Sequence, residues 1–264
     1  MRDRDGEAGH GRGRNSGASG RNRRDRSHHC VEHPMTAARS SLPIVIVDYG
    51  LGNLFNLERA FLDQGAAEVL VSGDPAEIAA AQAIVLPGVG AFKSGMRRLE
   101  ESGLASVLRD AASKTPMLGI CLGMQLLLDA SEEDGHWPGL GIVPGRVRRI
   151  EPEASGDAAT TKAHLKVPHM GWNAIEPPDG RTDDPWAETL LEKVPPGSLM
   201  YFLHSYVVEP EAPASALAIT RYGRDRFCSV LRQDRVMGCQ FHPERSGSTG
   251  RAIIRSFLNL AQRT

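Results

Sequence analysis

A cysteine held between two glycines ends an apolar run: Gly119-Ile120-Cys121-Leu122-Gly123, inside TPMLGICLGMQLLLDA, residues 115–130. G-x-C-x-G has the form of a nucleophile elbow with Cys in place of Ser. Its glycines suit a tight strand-to-helix turn. That turn holds the thiol above a sheet and at a helix N-terminus, whose positive end favours thiolate. A thiolate nucleophile needs a base, and the base needs an orienting group. GCQFHPERSG supplies His242 and Glu244. In an extended segment residues i and i+2 project to the same side, so Glu244 can fix the tautomer of His242 while the imidazole faces Cys121. Pro243 stiffens the link. The competing bases His136, His164, His169 and His204 have no acid at that spacing. The third requirement is an oxyanion site. The amide of Leu122 is one donor by elbow geometry. PGVG (87–90) offers another, because glycines let backbone approach a substrate and turn an N–H inward. Each piece taken alone has a plainer reading. A structural cysteine suits the five residues equally well, His242 and Glu244 could be a surface pair, and PGVG could be a simple turn.

These residues need elements to position them. LPIVIVD (42–48) reads as a buried parallel strand, followed by the loop YGLGN. Leu54, Leu57 and Phe61 recur at helical spacing, with Gly65 ending the helix. VLVSG is a second strand. Asp74, Pro75 and Glu77 give an N-cap, a first-turn proline and a capping-box acid. AIVLPGVGAF is a third strand running into a glycine-rich loop, residues 96–113 are helical, PMLGI is a fourth strand, and Cys121 to Ala130 begins the next helix. Alternating strands and helices build a mostly parallel sheet flanked by helices, and ligands bind such sheets at the strands' carboxyl ends. DYGLGN, PGVG and GICLG all follow strand ends. The second half reads as further β segments (GRVRRI, HMGWNAI, LMYFLHSYVV, SALAITRYG, RFCSVLRQ, RVMGCQFHPE) added to the same domain. A final helix runs through Ile253, Ile254, Phe257 and Leu258.

Bulk properties narrow the class. The chain has 264 residues, 41% hydrophobic and 24% charged, with a net charge of −1. That balance predicts no nucleic-acid or membrane partner, and no apolar run approaches the ~20 residues a membrane span needs. Cys30, Cys121, Cys228 and Cys239 are sparse and irregularly spaced, which suggests a reducing cytoplasm. Residues 1–34 contain no Leu, Ile, Phe, Tyr or Trp, cannot bury apolar surface, and are expected to be disordered. The domain division expected is a tail over 1–40 and one domain over 41–264. His28, His29, Cys30 and His33 have metal-ligand chemistry but no scaffold, and no metal or organic cofactor site is expected in the ordered part. Met35 is an alternative start.

GICLGMQ with a distal FHPE resembles the class I, or triad, glutamine amidotransferases. DYGLGNL, PGVGAF, PHMGWN, YFLHSY and FHPERSG resemble the glutaminase subunits of imidazole glycerol phosphate synthase. The resemblance spans about residues 43 to 262, with Arg245 where that family often has Lys. It implies a flavodoxin-like fold and a Cys121–His242–Glu244 triad that hydrolyses glutamine through a thioester. It also implies that Gln125 contacts the amino-acid head of glutamine and that Gly88, Val89 and Gly90 line the site. The Val89–Gly90 peptide would be the movable oxyanion donor, and the backbone at Ser205 and Tyr206 would hold the substrate carboxylate. For Gln125 and Tyr206, packing remains an alternative role. The implied partner is a (β/α)₈-barrel cyclase in a heterodimer, with Asn53, Trp172 and Tyr201 at or near the interface; Trp172 equally suits core packing. Three other readings stay open: the glutaminase of a different synthase such as that of pyridoxal phosphate, a catalytically dead scaffold protein, and a cysteine peptidase on a similar sheet.

Overall fold

The continuous apolar strands predicted from the first half form the middle of one large mixed sheet. The computed structural model describes residues 43–152, 165–179 and 185–263; the tail with its His/Cys cluster, and His164, lie outside them. The elements run β1 (Ile44–Val47), α1 (Leu54–Asp63), β2 (Val69–Ser72), α2 (Pro75–Ala79), β3 (Ala83–Leu86), α3 (Phe92–Glu101), α4 (Leu104–Ala111), β4 (Met117–Ile120) and α5 (Leu122–Leu126). They continue with β5 (Leu128–Ser131), β6 (Trp137–Pro138), β7 (Val143–Arg149), β8 (His169–Ala174), β9 (Leu199–His204), β10 (Tyr206–Pro210), β11 (Ala216–Tyr222), β12 (Asp225–Gln233), β13 (Val236–Cys239) and α6 (Gly247–Gln262). The sheet order is β2-β1-β3-β4-β13-β12-β10-β7-β5-β6, with β11 on β12. Strands β2, β1, β3, β4 and β13 are parallel neighbours, and β12 and β10 extend the sheet in antiparallel sense.

Period-two alternation divides the core. In β1, Ile44 and Ile46 face one cluster and Val45 and Val47 the other. The first cluster packs α1 and α6 through Leu57, Phe61, Ile253, Ile254 and Phe257, with Phe61 and Phe257 edge to face at 6.2 Å. The second packs α3 and α4 through Leu99, Leu104 and Leu108. Both faces of β1, β3 and β4 are therefore dry, which explains their unbroken apolar runs. No helix among the described residues is long and apolar enough to cross a membrane.

Four expectations change in detail. Residues 96–113 hold two helices, because Gly103 takes a left-handed φ of 74° between α3 and α4. The helix after Cys121 ends at Leu126, and Leu128–Ser131 becomes β5, captured by pairing with β6 and β7. Asp74 caps α2 through Ala76 N–H at 2.7 Å, but Glu77 accepts from the Ser72 hydroxyl, and that hydroxyl in turn accepts the Asp74 N–H at 2.9 Å. The capping box is thus closed through a serine. LMYFLHSYVV breaks at Ser205: β9 pairs with β8 in a separate two-stranded sheet, while β10 lies between β12 and β7.

Candidate active site

Cys121 directly follows β4, and His242 lies three residues beyond β13. Because β4 and β13 are adjacent and in register, Ile120 opposite Cys239, the two motifs leave the sheet at the same edge. Cys121 N–H continues the ladder onto Cys239 O at 2.8 Å. The backbone at Cys121 then turns to φ 54°, ψ −111°, a conformation that costs a non-glycine residue of order 1–3 kcal/mol. The surrounding fold holds it there. A side chain on Gly123 would place its Cβ 1.8 Å from Leu86 O, and one on Gly119 would meet Met124 backbone at 2.8 Å. The two glycines of the elbow thus let α5 lie directly against the ends of β3 and β4.

His242 is extended (φ −100°, ψ 98°), but Pro243–Arg245 coil into a single 3₁₀ turn. Glu244 therefore reaches His242 from a turn and not from a continued strand, with Nδ1 to Oε1 at 2.9 Å. Both side chains are buried. Ser246 fixes the turn: its hydroxyl donates to His242 O at 2.7 Å and accepts from Tyr201 N–H at 3.0 Å. His242 N–H donates to Tyr201 O at 3.0 Å. With Nδ1 held by the carboxylate, Nε2 is buried with no hydrogen-bond partner. Burial depresses the imidazole pKa. The Cys121 thiol and the Glu244 carboxylate override that effect, so His242 is held well above the ordinary histidine range.

Cys121 and His242 open onto a cavity of about 240 Å³, also lined by Val89, Gly90, Leu122, Gln125, Glu133, Pro168, Leu203, His204, Ser205 and Tyr206. Of the expected substrate-site residues, all but Gly88 line it. Gly88 sits behind: a side chain there would meet the Tyr49 hydroxyl at 2.4 Å and Leu122 Cβ at 3.0 Å. Tyr49 donates to Pro87 O at 2.7 Å and so fastens the start of PGVG. Gly90 has φ +99°, with nothing within 4 Å of where a Cβ would lie. Gln125 Nε2 donates to Tyr206 O at 2.9 Å and to Gln240 Oε1 at 3.2 Å. Both its protons are spent, which leaves its carbonyl oxygen for a ligand.

Asn53 caps α1 through Asn56 N–H. Trp172 and Tyr201 are cross-strand partners with ring centroids 6.0 Å apart, and Arg245 lies over the Tyr201 ring at 4.1 Å. Trp172 is 55% exposed, which rules out the core-packing alternative. Met170, Leu199 and Leu203 share that exposed face of the β8–β9 hairpin. The Leu203 carbonyl reaches inward to 3.7 Å from Cys121 Sγ.

Two residues of the site escaped sequence reasoning. Glu133 lines the cavity and caps α3 by accepting the Phe92 N–H; burial raises its pKa and that hydrogen bond partly offsets the rise. Gln240 is fully buried and places Nε2 3.9 Å from Cys121 Sγ. The adjacency of Gln240 to the FHPE motif is the one local signal; nothing local marks Glu133.

The family model for glutamine amidotransferase class-I matches residues 45–260. The imidazole glycerol phosphate synthase subunit HisH of Thermosynechococcus vestitus is 41% identical over 224 residues, 84% of this chain and 99% of that protein. The subunit HisH of Syntrophotalea carbinolica is 44% identical over 215 residues, 81% of this chain and 98% of that protein. The subunit HisH of Symbiobacterium thermophilum is 45% identical over 212 residues, 80% and 91%. A crystal structure of a glutamine amidotransferase superposes with a TM-score of 0.60 at 19% identity, covering 83% of this chain and 98% of that one. Another glutamine amidotransferase, from Thermotoga maritima, gives 0.51 at 14%, covering 85% and 99%. At those identities the two structures speak to the fold alone.

Proposed function

Because the chain belongs to the class-I glutamine amidotransferase family, in the branch of the imidazole glycerol phosphate synthase subunit HisH, we propose that Cys121, His242 and Glu244 are its glutaminase triad in histidine biosynthesis. The observation that carries this reading is the geometry of the His242 ring, with one nitrogen held by Glu244 and the other left without a hydrogen-bond partner. His242 Nε2 is buried and unpartnered, its ring is fixed by Glu244, and the thiol it faces forms the floor of the cavity.

The chemistry proceeds in two halves. His242 Nε2 takes the Sγ proton, and the Cys121 thiolate adds to the side-chain amide carbon of glutamine. The oxyanion formed is met by the Leu122 N–H and by an N–H of the Val89–Gly90 peptide. Collapse breaks the C–N bond, and His242 returns its proton to the leaving ammonia. Water, deprotonated at Nε2, then attacks the thioester and releases glutamate, and the proton passes back to sulfur. Glu244 stabilises the imidazolium without itself taking the proton. Gln240 steadies the sulfur. The glutamine head is read by the Gln125 carbonyl oxygen and the Glu133 carboxylate at its ammonium, and by the backbone of Ser205 and Tyr206 at its carboxylate. The cavity of about 240 Å³ has room for one small amino acid.

The ammonia is passed to a (β/α)₈-barrel cyclase, which makes imidazole glycerol phosphate and an aminoimidazole carboxamide ribonucleotide. The outer face of β8–β9, with Met170, Trp172, Leu199, Tyr201 and Leu203, and the exposed start of α1 at Asn53 and Phe55 are its docking surface. An exposed apolar face of this kind marks an interaction site. The hairpin and α1 both pack against the turn that carries Glu244, so docking bears directly on the triad. The protein acts in the cytoplasm.

The test is glutamate release from glutamine, measured with and without the cyclase and its ribonucleotide, with Cys121→Ala as control. Release that needs partner and nucleotide and vanishes in Cys121→Ala supports the whole reading. Release indifferent to the cyclase leaves the triad but removes this partner. No release from folded protein under any condition refutes both.

A further inference from the structure

His169 and His204 stand directly opposite each other across β8–β9, on the face turned away from solvent. His204 Nδ1 lies 3.0 Å from Tyr206 O. A carbonyl oxygen carries no proton, so Nδ1 is the donor, and in the neutral ring Nε2 is then an acceptor. That Nε2 is 3.1 Å from His169 Nδ1, which must donate. His169 Nε2 in turn accepts from the Asn173 amide at 3.3 Å, whose second N–H goes to Arg221 O at 2.8 Å. One arrangement of protons satisfies every link, and it runs one way, from Asn173 to Tyr206. Both imidazoles must be neutral, since a second proton on either ring would set two donors face to face. Burial favours this and lowers both pKa values, to about 4 for His169 and about 3 for His204. Stacking of His169 on Tyr222 at 4.1 Å and on Phe202 at 4.8 Å locks its ring plane.

The chain ends on a carbonyl that is already in use. Tyr206 O also accepts from Gln125 Nε2 at 2.9 Å, so both its lone pairs are engaged. Gln125 sits one helical turn past Cys121, and its remaining carbonyl oxygen is the part available to a ligand. We propose that His169 and His204 are positioning residues for glutamine: a neutral, one-way hydrogen-bonded chain that fixes the Tyr206 carbonyl, and with it the Gln125 amide, where the substrate's head group binds. This rests on the reading of the cavity as a glutaminase site. It also excludes His204 as a rival base although it lines the cavity, because both its ring nitrogens are engaged. A purely space-filling role predicts a different outcome, since phenylalanine would serve as well within this aromatic cluster.

The experiment compares His204→Phe, His204→Asn and His169→Phe in the full chain with its cyclase partner, each checked for folding by thermal melt. Glutamate release gives kcat and KM. Alkylation of Cys121 is timed with iodoacetamide, which has no amino-acid head, and with a diazoketone analogue of glutamine, which has one. For His204→Phe, KM rises about ten-fold, the worth of one neutral hydrogen bond, while kcat stays within about three-fold. The diazoketone slows in step with KM and iodoacetamide does not. His204→Asn, which keeps a donor for Tyr206 O, recovers most of the loss, and His169→Phe moves KM in the same direction. An unchanged KM in folded His204→Phe, a fall in kcat at constant KM, or an Asn variant no better than Phe overturns the proposal. If the histidine variants do not fold, Asn173→Ala at the half-buried end decides, with KM raised about three-fold expected and an unchanged KM overturning. A wild-type protein that releases no glutamate defeats the glutaminase reading itself; active wild type with normal variants defeats this inference alone.

Discussion

Replacing Gly123 by alanine adds one methyl group at the point where α5 meets the end of β3. The new Cβ would stand 1.8 Å from Leu86 O and 2.7 Å from its carbonyl carbon. Real Cβ atoms do not approach closer than 3.0 Å, so the two backbones must part by about 1.2 Å. Neither side yields easily. Leu86 belongs to a strand buried on both faces, and on the other side of α5 Met124 already packs against Gly238, where a Cβ would come within 2.6 Å of Met124 Cγ. Overpacking of this kind costs about 1–3 kcal/mol, or roughly 2–4 °C of Tm per kcal/mol for a domain of this size. The catalytic loss should be larger. Leu122 precedes Gly123, so a shift of that size takes its N–H out of reach of the oxyanion, which costs about 10²–10³ in rate. Glutamate release with partner and nucleotide present gives kcat/KM, and thermal melts give the stability. Gly65→Ala is the control: φ is +97° there, but a Cβ meets nothing within 4 Å, so it should lower Tm and leave the rate alone. A Gly123→Ala protein with full rate and unchanged melting would show that α5 is free to move, and the elbow argument would fail.

Glu244→Gln keeps the shape of the side chain but removes the charge behind His242 Nδ1, 2.9 Å away; kcat should fall about 10²–10⁴-fold with KM little changed, and a fall under ten-fold would contradict an orienting role. Tyr49→Phe deletes the 2.7 Å bond to Pro87 O and should cost about 1 kcal/mol in urea unfolding; no change would mean the PGVG loop is held by other contacts. Acid should destabilise the fold through His169 and His204, whose neighbours include each other, His242 and Asp225. Unfolded, both take protons near pH 6.5; folded, burial holds them to about 4 and about 3. Between those limits the unfolded chain binds more protons, so this stability is complete above pH 6.5 and drains away as pH falls toward 4. His242 is shifted the opposite way, and its contribution is full below pH 6.5 and lost as pH rises toward about 10. Melting curves from pH 4 to 10 should therefore slope down on both sides of neutrality, with the acid slope reduced in His204→Asn. An equal acid slope in that variant would remove the histidines from the account.

Much of this site could be read before any coordinates, because its signals are local. Gly119 and Gly123 flank Cys121, Glu244 is two residues from His242, and both motifs follow apolar runs that can only be central strands. Where the reading slipped, long-range forces decided. The three leucines of LLLDA favour a helix, yet Leu128–Ser131 is drawn into the sheet by pairing with β6 and β7. The break between α3 and α4 was legible in Ser102-Gly103, since only glycine takes that φ without strain. The separate β8–β9 sheet was not legible, because Ser205 carries no strand-breaking character; its backbone is turned by pairing, with Ser205 O accepting the Ile150 N–H. Glu133 was invisible for the same reason, being a loop carboxylate like its exposed neighbours Glu132 and Asp134 until the fold lays it against α3.

The strand that brings His242 to Cys121 is also the one that joins the two halves of the sheet. β13 lies between β4 and β12, yet it follows Cys121 by more than a hundred residues. A ribosome has therefore already produced the thiol, its elbow and the PGVG loop long before the His242 imidazole that the fold sets beside them. Closing so long a loop is among the slower events of folding. Until β13 slots in, Cys121 stands in a half-built sheet without His242 beside it. With the triad proposed above, unfinished or clipped chains should be silent, and only molecules whose central sheet is complete should hydrolyse glutamine.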